Sequence, residues 1–129
     1  MLVDSSVWID FFSPSPGPAG ILLRHWIANV QPVLIAGVVI TEIAQGLTRD
    51  IDRIERFLNQ WEMLEPQGIE TYLRAASLYR LGRSRALTLT TVDVLIAAIA
   101  MDHNVELFTL DQDFARLAKF APVRLYQLR

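Results

Sequence analysis

The run Thr90–Phe114, TTVDVLIAAIAMDHNVELFTLDQDF, decides how the rest of the chain is read. Its first half is apolar, without Gly or Pro. Thr90 and Asp93 stand three apart at its start, the spacing at which a hydroxyl and a carboxylate cap the orphan amides of a helix N-terminus. This predicts a helix from about Thr91 to His103. Glu106–Thr109 then reads as a short apolar strand, with Asp111 directly after it. Asp111 and Asp113 together suit the positive end of a further short helix. Helix, strand, acid and helix in one run is the grammar of a parallel α/β unit.

The same alternation extends in both directions. Met1–Val3 is a short apolar start, and Ser5 or Ser6 can cap a helix through Trp8 to Phe12. Ser13–Gly20, SPSPGPAG, has three prolines and two glycines and is expected to be irregular. Leu22, Leu23, Trp26, Ile27 and Val30 follow helical spacing. Val33–Ala36 reads as a strand, followed by a helix through Glu42 to Leu47. Ile51, Ile54, Leu58 and Trp61 mark another helix, and Met63–Leu64 a brief strand. Ile69, Tyr72, Ala76 and Tyr79 line a helix ending near Gly82, and Val123–Tyr126 reads as a last strand. Strands separated by helices imply right-handed crossovers and a parallel sheet covered on both faces.

With 129 residues, 52% of them hydrophobic, the chain suits a single domain over 1–129 and is too apolar to be disordered. It has no cysteine, which excludes disulfides, thiolate zinc sites and a cysteine nucleophile. The longest apolar runs, Val33–Ile40 and Val94–Met101, fall far short of the ~20 residues that span a bilayer. Asp4 interrupts any basic-then-apolar leader, so a cytoplasmic location without membrane attachment is expected. A net charge of −2 argues against a protein that merely coats nucleic acid. The cations are nevertheless eleven arginines and one lysine, Lys119, and arginine suits local phosphate contacts.

Four acids fall at or just past strand ends: Asp4, Glu42, Asp93 and Asp111. In an open parallel sheet ligands bind beyond the carboxyl ends of the strands, so the topology predicts their convergence. Singly, each has a structural explanation as a cap or a solvated side chain. Together they would raise one another's pKa values unless a cation offset them. Only His25 and His103 could add nitrogen ligands, so an oxygen-rich site for Mg²⁺ or Mn²⁺ is favoured. Such ions suit phosphodiester hydrolysis.

At these residues the sequence resembles the PIN-domain endoribonucleases of the VapC toxin kind, across nearly the whole chain. DSSVWID resembles the family's first motif, with an aspartate at Asp4 and a supporting hydroxyl at Ser6. TEIAQG resembles the second at Glu42 and Gly46. TTVDVLIAAIAM carries the third acid at Asp93, and TLDQDF the fourth at Asp111, with an auxiliary acid at Asp113 and Thr109 nearby. The resemblance implies a three-layer α/β/α sandwich with a short central parallel sheet. It also implies an RNA-cleaving enzyme with Asp4, Asp93 and Asp111 as metal ligands and Glu42 completing the shell or orienting water. Products with 5′-phosphate and 3′-hydroxyl ends, a cognate antitoxin and a homodimer are implied as well.

Other residues have plainer readings. Asp10 should point away from the acids, along the first helix. His103 suits a helix C-cap, His25 half-buried packing, and the three tryptophans packing. Arg74, Arg80, Arg83 and Arg85 form either an RNA-facing group or a solvated face. Two alternative functions remain open: a non-enzymatic Mg²⁺-binding switch like a phosphoacceptor receiver, and a PIN-like module that only binds RNA or a partner. A receiver needs a lysine near the acids, and Lys119 lies well along the last helical region.

Overall fold

Four strands of two residues each form the centre of the computed structural model, which describes residues 1–128. They are β1 (Leu2–Val3), β2 (Ile35–Ala36), β3 (Met63–Leu64) and β4 (Leu107–Phe108). All pairing is parallel: Leu2 and Val3 face Leu107 and Phe108, while Ile35 and Ala36 face Met63 and Leu64. Single parallel bridges, Leu2 to Leu34 and Leu107 to Leu125, join and extend the pairs. The resulting order is β3, β2, β1, β4 and then Leu125.

Among the described residues seven helices fill the connections: α1 (Ser5–Phe12), α2 (Pro18–Ala28), α3 (Gly37–Gln45), α4 (Ile51–Leu58), α5 (Ile69–Ser84), α6 (Thr91–Asp102) and α7 (Gln112–Leu117). Successive strand residues point to opposite faces, and both residues of β1, β2 and β4 are buried. The sheet is therefore covered on both faces, the layered α/β arrangement expected from the alternation. Met63 on the edge strand β3 is exposed. No helix among the described residues is long and apolar enough to cross a membrane.

The expected elements are present, with instructive differences in extent. Strands are short because the chain turns straight into helix: Asp4 is the N-cap of α1 and Ala36 of α3. Val33–Ala36 narrows to a bridge at Leu34 plus β2. The expected last strand, Val123–Tyr126, reduces to the bridge at Leu125, held by Leu107 N to Arg124 O and Tyr126 N to Leu107 O, both 2.9 Å. The helix expected to reach Trp61 stops at Leu58. Trp61 instead packs against Trp8, ring centroids 5.8 Å apart, within a cluster that includes Phe11, Phe12 and Phe57.

The proline-rich segment is also more regular than its composition suggests. Pro18 opens α2, where its fixed φ is pre-set for helix and its missing N–H costs nothing. Asp10 organises this turn. Its two carboxylate oxygens accept from Gly17 N (2.9 Å) and Gly20 N (2.8 Å), placing an anion at the N-terminus of α2. Gly20 sits so close that a Cβ there would lie 2.7 Å from the Asp10 carbonyl carbon. Asp10 is thus engaged structurally, as its predicted direction required.

Asp102 and His103 close the far end of α6. Asp102 accepts from buried Thr71 (2.6 Å) and pairs with Arg74 (2.6 Å), tying α6 to α5, and His103 is the C-cap, its Nε2 2.8 Å from Glu65 O. Replacing Asp10 with Ala should cost about 1–2 kcal/mol in urea unfolding by stranding two amides. Gly20→Ala should also destabilise, because backbone stands in the way of the new methyl. An unchanged midpoint in both variants would show that the Asp10 turn does not support α2.

Candidate active site

The connection order places β1 at the centre, with β2 and β3 laid down on one side and β4 on the other. Between β1 and β4 the winding direction reverses, the position at which ligands bind in open parallel sheets. Asp4 follows β1, and Thr109 and Asp111 follow β4. Asp93 lies in the first turn of α6, and Glu42 sits on α3, which packs against α6.

Asp4 is 4% exposed, and its Oδ2 accepts from Ser6 Oγ (2.9 Å) and Thr109 Oγ1 (2.8 Å). The same two hydroxyls accept from Leu110 N (2.9 Å) and Asp111 N (3.0 Å), which fixes the loop after β4. Glu42 Oε1 accepts from Ser5 Oγ at 3.0 Å. Thr90 and Asp93 form the reciprocal capping box that the sequence suggests, with Asp93 Oδ2 accepting from Thr90 N (3.0 Å). Asp111 caps α7 through Oδ1 to Asp113 N (2.9 Å), and Asp113 Oδ1 pairs with Arg116 (2.6 Å).

The pattern is uniform. Each of the five acids uses one carboxylate oxygen for a structural bond, and among the described residues the other oxygen has no hydrogen-bond donor from the protein. The cap and the ligand readings of these residues are thus compatible, because each acid has an atom for both. One ligand atom from each of Asp93, Asp111 and Asp113 lies within 4.8 Å of the others. Asp4 and Glu42 are outside this tightest group. This donor set is all oxygen and anionic, which fits a hard divalent cation.

Electrostatics connect the trio to the remaining acids. Burial pushes the Glu42 carboxyl above its ordinary value; the Ser5 hydrogen bond opposes this, and the charges of Asp4 and Asp93 reinforce it. Burial likewise raises Asp93, opposed by hydrogen bonding from Thr90 and reinforced by Asp111 and Asp4. These couplings link Asp93 to Asp111 and Asp4, and Glu42 to Asp4 and Asp93, while the close oxygen group itself brings Asp113, not Asp4 or Glu42, to Asp93 and Asp111. Ser5, which holds Glu42 across 37 residues of sequence, carries no local signal and was not anticipated. His25 is exposed, contrary to the half-buried packing expected, because it lies on the outer face of α2 beside Asn29. Lys119 is exposed beyond α7.

A carboxyl raised on folding binds its proton more tightly in the native state. Its contribution to stability is present at low pH and is lost as pH rises through the native pKa. At pH 7, without metal, Asp93 and Glu42 therefore oppose folding. Asp93→Asn and Glu42→Gln should each raise the Tm of the metal-free protein at pH 7, and the gain should vanish near pH 3. A lower Tm at pH 7 in both variants would contradict this electrostatic picture.

Comparison with known proteins agrees with the geometry. The family description "PIN domain" matches residues 1–120. The chain is 25% identical to Ribonuclease VapC11 of Mycobacterium tuberculosis over its full length and 99% of that protein. Its fold is similar to that of a DNA-bound VapBC from Salmonella typhimurium, with TM-score 0.78 and 15% identity, covering 99% of this chain and 97% of that one. It is also similar to Mycobacterium tuberculosis VapC20, described as a sarcin–ricin loop cleaving toxin, with TM-score 0.68 and 19% identity, covering 95% and 98% of the two chains. Sheet order, the acids at the winding reversal and a match over almost the whole sequence lead to one assignment: the chain belongs to the PIN domain family.

Proposed function

We propose that this protein is an endoribonuclease, the toxin of a toxin–antitoxin pair, and that it hydrolyses RNA phosphodiester bonds with Mg²⁺ or Mn²⁺. The observation that carries the reading is the close group of Asp93, Asp111 and Asp113, with Asp4 and Glu42 electrostatically coupled to it, each acid keeping one oxygen without a protein donor among the described residues. The similarity to VapC ribonucleases supports the choice of RNA. Asp4, Asp93 and Asp111 are the proposed metal ligands, with Asp113 available as a further oxygen donor. Bound there, a divalent ion would polarise the scissile phosphate, lower the pKa of a water and stabilise the leaving oxygen.

The protein's own groups have distinct tasks. Ser6 and Thr109 hold Asp4 Oδ2 and so orient its other oxygen. Glu42, fixed through Oε1, presents Oε2 to orient the attacking water and take its proton, and burial raises its basicity above that of an ordinary carboxylate. Attack on phosphorus breaks the bond to the 3′ oxygen, which takes a proton from solvent as it leaves, and Glu42 returns its own proton to solvent. The products are a 5′-phosphate and a 3′-hydroxyl. No cysteine is present and no covalent enzyme intermediate is invoked.

The reading extends to one catalytic domain over residues 1–129, a homodimer and a cognate antitoxin, acting in the cytoplasm. Assemblies named VapBC among the structural neighbours support the antitoxin. A phosphoacceptor receiver is disfavoured by the position of Lys119, exposed beyond α7. A module that only binds RNA is disfavoured because all four motif positions hold acids.

New RNA 5′ ends mapped after brief induction should appear with wild type and be absent with Asp93→Asn. With the purified protein and an RNA so identified, Asp93→Asn should lower cleavage at least about 100-fold, and EDTA should stop it. DNA of the same sequence should remain intact. Cleavage that survives both the substitution and EDTA would overturn the metal mechanism, and identical 5′ ends in both strains would overturn the ribonuclease.

A further inference from the structure

Among the described residues, Arg116 is the only cationic side chain ion-paired with any of the five site acids. It lies in the last turn of α7, its Nη1 2.6 Å from Asp113 Oδ1, and its side chain is 60% exposed. The other arginines with side-chain partners engage groups other than the site acids. Arg24 makes three bonds to the Phe11 and Ser13 carbonyls and lies over the Phe11 ring. Arg74 pairs with Asp102, Arg124 holds Asn104, Arg85 lies over Phe120, and Arg80 bonds Ser77 on its own helix. Arg116 has a single side-chain hydrogen bond, so most of its five N–H donors are unengaged among the described residues.

An exposed ion pair three residues apart on a six-residue helix adds little to stability, so this contact does not account for Arg116 as a brace. The acids pose a different problem. A polyanion must be brought to a group of carboxylates, and one carboxylate of the tightest trio already holds a guanidinium beside it. A cation held by the free oxygen of Asp113 would compete with the guanidinium for the carboxylate's charge and weaken this pair. The guanidinium fork then matches two oxygens of a phosphate.

Resting on the ribonuclease reading above, we propose that Arg116 is an RNA-binding residue that exchanges Asp113 for a backbone phosphate of the bound strand beside the metal site. It binds phosphate and not base, so it contributes affinity without sequence choice.

The test uses the full chain carrying Glu42→Gln, which removes the proposed base while leaving the aspartates in place. A fluorescein-labelled, mixed-sequence single-stranded RNA is titrated by anisotropy in Mn²⁺ at several salt concentrations. Adding Arg116→Ala should weaken binding about 10-fold and flatten the slope of log affinity against log salt by about 0.7, the value for one phosphate contact on a single strand. Arg116→Lys should keep the slope and lose part of the affinity. The Tm of each variant should match that of its parent, which separates binding from folding. Unchanged affinity and slope with Arg116→Ala would overturn the proposal while leaving the nuclease reading in place. Absence of RNA binding by the Glu42→Gln parent would overturn both.

Discussion

The buried carboxylate of Asp4, gripped by two hydroxyls, is the interaction on which the site's geometry depends. Ser6 comes from the start of α1 and Thr109 from the loop after β4, and both donate to the same oxygen. Strands of two residues cannot align a site by sheet hydrogen bonding alone. The hydroxyl clamp adds the missing constraint, and through Leu110 N and Asp111 N it also sets where α7 begins. The fourth acid is thereby positioned by the first.

The site carries electrostatic stress: burial above all, with the charges of neighbouring acids adding to it, pushes the Glu42 and Asp93 carboxyls upward. Local hydrogen bonds reduce it only in part. The Thr90 capping box lowers the Asp93 shift, and Ser5 does the same for Glu42, yet burial and neighbouring charges prevail. Binding of a divalent ion would relieve the stress and so would couple fold and chemistry at this position.

Much of this was legible because it is written locally. The capping box, the apolar run of α6 and the acid after β4 occupy one stretch of 25 residues. Alternation of strands and helices gave the layered class. Strand lengths were less legible, since a bridge at Leu34 or Leu125 depends on a neighbour far away in sequence. Pro18 looked like a breaker because composition does not say which proline will stand at the first position of a helix. The link from Ser5 to Glu42 and the closeness of Asp113 to Asp93 arise only when α1, α3, α6 and α7 are packed. The Asp113–Arg116 pair is local, but its meaning depends on the trio beside it.

The central claim is that these carboxylates form a metal centre. Calorimetric titration of the metal-free protein with Mn²⁺ tests it most directly, with Asp93→Asn alongside. The account predicts saturable, stoichiometric binding to wild type and at least a tenfold loss of affinity in the variant. No saturable binding to folded wild type, or equal affinity in the two proteins, would contradict it.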